Sequence, residues 1–159
     1  MNKKLLIAAV GFIIFSGCSS KMPFKINNNE VCDIAIKNHC SSNSHYIIFC
    51  YPITNEPKDI LRAKAFTDFR GFIAKKLDKF FNYIEKKYNY IVGEKKREKI
   101  KEEIGSKILG ESEIKESCSF KGHKYFVIIV DKSKLKNELK SMFALSDKQF
   151  SEAFSAIFG

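Results

Sequence analysis

The segment ILRAKAFTDFRGFIAKKLDKFFNYIEKKY, residues 60–88, decides the fold of this chain. Its apolar side chains recur every three or four residues, the period of an α-helix that buries one face. We therefore predict one long amphipathic helix ending near Tyr88, with its apolar stripe in the core. The stripe comprises Ile60, Ala63, Phe66, Phe69, Ile73, Leu77, Phe80, Ile84 and Tyr88, widened by Leu61, Ala65, Phe72 and Phe81.

The start of this helix is marked by turn and capping residues. Thr54 or Asn55 can cap it, and Pro57 suits a first turn because its missing N–H costs nothing there. The face opposite the apolar stripe carries Lys75, Lys76, Lys79, Lys86 and Lys87. This face is either a simple solvated surface or a weak binding surface for anions.

Apolar runs before and after the helix predict β-strands. Residues 46–51 (YIIFCY) are β-branched and aromatic and are stopped by Pro52, while residues 124–131 (KYFVIIVD) have the strongest strand pattern of the chain. Gly122, in the turn 121–123, joins residues 112–120 to the second run as a β-hairpin.

Shorter helices complete the expected fold. Residues 94–109 have a narrow stripe of isoleucines, residues 132–143 follow a cap at Asp131 or Ser133, and a last helix restarts at Ser146. A short helix or turn is expected within residues 29–40. The predicted class is α+β: strand, long helix, second helix, β-hairpin and C-terminal helix, with the helices packed on a small antiparallel sheet.

The first 17 residues have the pattern of an export signal. Two lysines precede eleven residues, 5–15, that are apolar apart from one glycine, too short to cross about 30 Å of hydrocarbon. Ser16-Gly17-Cys18 stands where an ordinary signal peptide ends, and it resembles the lipobox of bacterial lipoproteins. The resemblance implies cleavage before Cys18 and acyl chains, including palmitate, on that cysteine. In this class of lipoproteins, Ser rather than Asp after the cysteine, here Ser19, favours the outer membrane.

This interpretation divides the chain into a signal peptide (1–17), a lipidated N-terminus and tether (18–30) and a single periplasmic α+β domain (31–159). Loss of two lysines with the signal lowers the formal net charge from +10 to +8. In an exported protein such a charge suits anionic phospholipid, lipopolysaccharide or peptidoglycan, and we expect no nucleic-acid partner.

Four cysteines remain for disulfides: Cys32, Cys40, Cys50 and Cys118. An oxidising compartment favours two bridges, and four cysteines allow three pairings that sequence alone does not distinguish. We expect Cys32–Cys40, which closes a short local loop, together with Cys50–Cys118, which would join two predicted strands.

No motif in the chain predicts catalysis or a bound cofactor beyond the lipid on Cys18. Cys32, His39, Cys40 and His45 lie within 14 residues, but their spacing fits no ordinary zinc pattern, and disulfides are favoured over a metal site. A cysteine nucleophile beside His123 would need a free thiolate, whereas Cys50 and Cys118 lie in predicted core strands. We therefore expect a protein that is not an enzyme.

Two stretches together resemble a known family. Residues 51–77 pass from a strand into a helix opened by LRAKA (61–65), and residues 113–140 end in KYFVIIVDKSKLKNELK (124–140). They resemble the small outer-membrane lipoproteins typified by the twenty-kilodalton membrane-associated lipoprotein of Helicobacter, whose domain Campylobacter flagellar lipoproteins share. The resemblance covers roughly residues 45–140 and implies a long helix on a curved antiparallel sheet without catalytic residues.

The expected function is that of a lipid-anchored envelope lipoprotein that acts as a structural or interaction module. The resemblance implies association with flagellar or outer-membrane assembly, and hence with motility. Exposed sheet edges and the Phe-rich helices are the expected contacts for envelope proteins or for a second copy. The alternative is a module that binds anionic envelope ligands through its lysine face.

Overall fold

The computed structural model describes residues 28–159, which form five helices and three strands and confirm the α+β class. The predicted signal peptide, the lipidation site Cys18 and tether residues 19–27 lie outside the described residues. In chain order the elements are α1 (Asn28–Lys37), β1 (Tyr46–Pro52), α2 (Lys58–Tyr88), α3 (Glu94–Gly110), β2 (Glu113–Phe120), β3 (His123–Asp131), α4 (Lys132–Lys140) and α5 (Asp147–Phe158).

The sheet is antiparallel with strand order β1-β3-β2, so β3 lies in the centre. Residues 126–130 of β3 are buried on both faces of the sheet, which explains their uninterrupted apolar sequence. The β2–β3 hairpin turns through two residues, Lys121 at φ 48° and Gly122 at φ 77°. Positive φ at both positions is typical of the tight turns that match strand twist.

Helices α2 to α5 form a ring in which each helix packs against the next and α5 closes onto α2. Phe80 is fully buried at the centre of this ring, with four other phenylalanine rings at centroid distances of 5.4 to 6.5 Å. Those four residues are Phe81, Phe143, Phe150 and Phe158. The larger core therefore lies between this ring and one face of the sheet.

The predicted apolar stripe of α2 is correct for most of the helix and wrong at its start. Ile60 is 49% exposed and Ala63 is also exposed. The buried row instead advances by four residues at a time from Leu61 to Leu77. Ile60 and Ala63 lie on the flank of that row, where no other element covers them closely enough to bury them.

The capping prediction for α2 is also wrong, whereas that for α4 is confirmed. Pro57 itself is the N-cap of α2, and no side chain bonds its first turn. The Asp131 carboxylate accepts the Ser133 amide at the start of α4, and Ser146 with Gln149 forms a capping box on α5. Helix α4 ends at Lys140, three residues earlier than predicted.

Helix α1 covers the face of the sheet opposite the helical ring. Val31 and Ala35 are buried against Val127 and Ile129 in a second, smaller core. The helix begins at Asn28, three residues before residue 31, where the sequence analysis placed the start of the domain. The sheet is thus covered on both faces.

The predicted disulfide pairing is wrong. The bonds are Cys32–Cys118, from α1 to β2, and Cys40–Cys50, from the loop after α1 to β1, with Cα–Cα distances of 5.4 and 5.8 Å. Because β3 lies between β1 and β2, the Cα atoms of Cys50 and Cys118 are two strand spacings apart, at least about 9.5 Å. A disulfide spans Cα–Cα distances up to about 7 Å, so the predicted Cys50–Cys118 bond cannot form in this sheet.

Candidate interaction surface

The outward side of α2 carries a row of unpaired lysines. At 3.6 residues per turn, Lys75, Lys79 and Lys86 fall within an arc of about 40° and span about 16 Å along the helix. All three are exposed, and none forms a hydrogen bond or ion pair with the residues that the structure describes. We call these three residues the α2 lysine strip.

The other two lysines predicted for this surface are occupied by α5. Lys76 Nζ donates to the carbonyl of Ile157 at 3.1 Å. Lys87 forms an ion pair with Glu152, and the Tyr88 hydroxyl donates to the same carboxylate at 2.8 Å. The hydrogen bond from Lys87 lowers the pKa of Glu152. Lys76 and Lys87 therefore hold α5 against α2 and are not part of the free surface.

The acidic residues next to the strip are turned away from it, toward α3. Asp78 accepts an ion pair from Lys101 at 3.2 Å, and the Glu85 carboxylate pairs with Arg97. These are the two acidic residues of α2 between Gly71 and its end at Tyr88. Glu85 is paired with Arg97, and Asp78 shares Lys101 with Glu98. The strip therefore carries three positive charges beside acids that are bonded to α3, and the exposed Asp68 lies on the same side of the helix one turn before Gly71.

Glu85 also fixes the turn that separates α2 from α3. Its carboxylate accepts the Val92 amide at 2.9 Å, while Arg97 Nε donates to the Val92 carbonyl at 2.9 Å. The hydrogen bond from Arg97, followed by the one from Val92, lowers the pKa of Glu85. This set of contacts fixes the angle at which α3 returns beside the strip.

Lys132 is a buried cation that the sequence did not reveal. It is 5% exposed, and among the described residues its Nζ is the one buried side-chain nitrogen or oxygen without a hydrogen-bond partner. Burial lowers its pKa, and the nearby Lys76 ammonium lowers that pKa further. The one available signal was that no loop separates β3 from α4, so the first helical residue stays beside the core.

The two cysteines and two histidines between residues 32 and 45 do not come together as a ligand set. Cys32 and Cys40 belong to different disulfides, so neither provides a thiolate. The ring of His39 lies 5.9 Å from that of Phe120, and His45 lies at the start of β1, where its carbonyl accepts the Lys132 amide. Within residues 28–159 no group of three or more potential metal ligands is present.

The exposed edge of β1, expected as a contact for other chains, is partly closed. Backbone hydrogen bonds join Ile53 to Lys124 and Lys132 to His45. Because such bonds alternate along an antiparallel strand, the even-numbered residues of β1 direct their backbone groups away from β3. Of these, Tyr46 donates its amide to Asn43, Ile48 donates to Ser42, and Pro52 has no N–H. The edge of β2 is interrupted by a register shift between Lys115 and Cys118. Both features oppose the addition of a further strand.

None of the described helices is both long enough and apolar enough to cross a membrane. Comparisons of the chain with protein-family models, with curated proteins and with solved structures find no match.

Proposed function

We propose that this protein is a lipid-anchored lipoprotein of the bacterial envelope, held at the outer membrane and facing the periplasm, where it acts as a structural or interaction module. The observation that carries the proposal is the division of its five cysteines. The four in the described domain are all joined to one another, as suits an oxidising compartment. The fifth, Cys18, follows the apolar segment of the predicted export signal after Ser16 and Gly17.

The chain length between anchor and domain supports a module held close to the membrane. Nine residues separate Cys18 from the first residue of α1. Even a fully extended chain of that length spans only about 30 Å. The two disulfides then tie α1 and the loop after it to the sheet. Tension on the anchor would therefore reach the sheet through covalent bonds rather than peel α1 away.

The proposal assigns no catalytic residue and no cofactor apart from the covalent lipid. Each thiol of the described domain is consumed in a disulfide, which removes the cysteine nucleophiles considered above. The partners proposed are envelope proteins or a second copy of the chain. A flagellar or outer-membrane assembly is the partner class that the sequence resemblance suggests.

The anchor is tested by labelling cells with a radioactive or clickable fatty acid. We expect the wild-type chain and a Ser19→Ala control to incorporate label and to float with membranes, and Cys18→Ala to do neither. The mature mass should correspond to cleavage before Cys18. Equal labelling of wild type and Cys18→Ala, or a mature chain with a free Cys18 thiol, would overturn the proposal.

The partner class is tested by swarming of a deletion strain in soft agar. If the chain serves the flagellar apparatus, the deletion abolishes swarming and wild type restores it, whereas Cys18→Ala does not. Normal swarming of the deletion strain would remove the flagellar assignment and leave the general envelope role. Sedimentation of the purified protein at high concentration tests self-association, which a persistent monomer would contradict.

A further inference from the structure

We propose that the α2 lysine strip is the surface through which the domain lies on an anionic phospholipid bilayer. This inference rests on the proposed membrane anchor, and it deepens that proposal by assigning an orientation to the anchored domain. The surface consists of Lys75, Lys79 and Lys86, and the partner is recognised by its phosphate charge.

The first argument is the separation of charges around α2. The acids on one flank are bonded to α3, and the lysines on the other flank are bonded to α5. Between Gly71 and Lys86 the outward arc therefore carries cations and neutral residues only. A lysine near an anionic lipid surface contributes about 1 kcal/mol to binding. The binding contributions of three unpaired lysines in a row add up, whereas on a surface with alternating charges they would be offset by repulsion of the acids.

The second argument is shape. The strip follows one line along the outside of α2, and Gly71 on the same side has nothing within 4 Å of where a Cβ would stand. A convex row of charges can touch a plane along its whole length of about 16 Å. A small soluble anion would meet one lysine at a time. The geometry therefore fits a bilayer surface better than a bound phosphate.

The third argument is the anchor itself. Nine residues of chain keep the domain within about 30 Å of the lipid, so that the strip reaches the surface by rotation of the domain alone. Docking is then intramolecular and needs no strong intrinsic affinity. Because screening acts within about 10 Å at 0.1 M salt, the attraction operates only in the docked orientation.

The chain has no tryptophan, so a single introduced tryptophan reports on one surface. Gly71→Trp places the reporter beside the strip, and His123→Trp places a matched reporter at the exposed start of β3. The lipidated protein is bound to vesicles of phosphatidylcholine, with or without phosphatidylglycerol, that carry brominated acyl chains as quenchers. We expect phosphatidylglycerol to increase quenching of the Gly71→Trp reporter and to leave the His123→Trp reporter unchanged.

Substitution of the strip then tests its residues. Lys75→Gln/Lys79→Gln/Lys86→Gln should lower the docked-to-undocked ratio about a hundredfold, roughly fivefold for each lysine. The matched control Lys95→Gln/Lys99→Gln/Lys124→Gln removes the same charge from exposed lysines elsewhere and should leave the ratio nearly unchanged. Salt at 1 M, where screening acts within about 3 Å, should reproduce the effect of the strip substitution.

Three outcomes would overturn the docking proposal: equal quenching on neutral and anionic vesicles, equal loss in the two triple variants, or displacement by soluble peptidoglycan fragments or lipopolysaccharide in preference to lipid. Loss of the anchor and loss of docking give different experimental results. Without an anchor the protein does not float with neutral vesicles, whatever the reporter shows. With an anchor but no docking, it floats with both kinds of vesicle and the reporter stays unquenched.

Discussion

Lys132 is the residue whose environment most opposes its charge. Its ammonium is buried without a partner and faces the Lys76 ammonium. Burying an unpaired charge costs stability, and replacement of such a group by an apolar side chain of similar length is stabilising by on the order of 1 kcal/mol. We expect Lys132→Met to raise the free energy of unfolding by about that amount in urea titrations, and Lys124→Met, at an exposed lysine, to change it little.

The effect of Lys132 on stability should change with pH in a defined direction. The pKa of Lys132 in the folded protein lies below its ordinary value of 10.5, so the unfolded chain binds more protons between those two values. The charge opposes folding while Lys132 is protonated, so stability should rise as the pH increases from the folded pKa of Lys132 toward its ordinary value. The Lys132→Met variant should lose that rise. An identical pH profile in both proteins would show that the Lys132 amine is hydrated.

Phe80 joins several elements in the core, because four phenylalanine rings from α2, α5 and the segment between α4 and α5 meet it. Truncation of a buried phenylalanine leaves a cavity and costs about 3–5 kcal/mol. We expect that loss for Phe80→Ala in chemical denaturation. Ile91→Ala serves as control, since Ile91 is 79% exposed, and should change stability by less than about 0.5 kcal/mol.

Among the elements, the α2–α3 turn depends on the Glu85 carboxylate, which binds both Arg97 and the Val92 amide. The pKa of Glu85 is lowered in the folded state, so its contribution to stability is present above the pKa of the unfolded chain and is lost as the pH falls through the folded value. Glu85→Gln should destabilise the protein at neutral pH and converge with wild type in acid.

A double-mutant cycle with Arg97→Met separates the ion pair from the bond to Val92. If Arg97 is the main partner, the two substitutions together should cost less than the sum of their separate effects. Glu102→Gln, at an exposed acid of α3, is the matched control for loss of charge. Strict additivity of Glu85→Gln and Arg97→Met would contradict the shared role assigned to these residues.

At the scale of the whole molecule, the two disulfides differ in the length of chain that they close. Cys32–Cys118 closes 86 residues and Cys40–Cys50 closes 10. By loop entropy, loss of the long bridge should cost about 4–5 kcal/mol and loss of the short one about 3 kcal/mol. We expect the Cys32→Ala/Cys118→Ala pair to unfold at lower denaturant than the Cys40→Ala/Cys50→Ala pair.

The same two variants locate the effect on the fold. Without Cys118, α1 is held on the sheet by its small apolar core alone, so its amides should exchange faster with solvent while those of α2 keep their protection. Peptide mapping without reductant should recover the Cys32–Cys118 and Cys40–Cys50 links. Recovery of a Cys50–Cys118 link would contradict the strand order.

Helices and strands that depend on local sequence patterns were predicted correctly. The period of residues 61–84 predicts α2, the apolar run before Asp131 predicts β3, and Gly122 predicts the hairpin. These signals depend on neighbours a few residues away, which is why the end of α2, the bounds of α3 and the start of α5 agree with the sequence analysis. The start of α1, the cap of α2 and the end of α4 lack such signals, because tertiary packing outweighs weak local preference there.

Which strands and helices contact one another is seen only in the folded structure. The position of β3 between β1 and β2 separates Cys50 from Cys118 and thereby sets the disulfides, while the packing of α5 and α3 against α2 leaves three lysines free out of five. The burial of Lys132 also follows from contacts between distant segments. Strand order and helix packing bring together residues that are far apart in the chain. A local periodicity depends only on nearby residues, so it does not predict these long-range contacts.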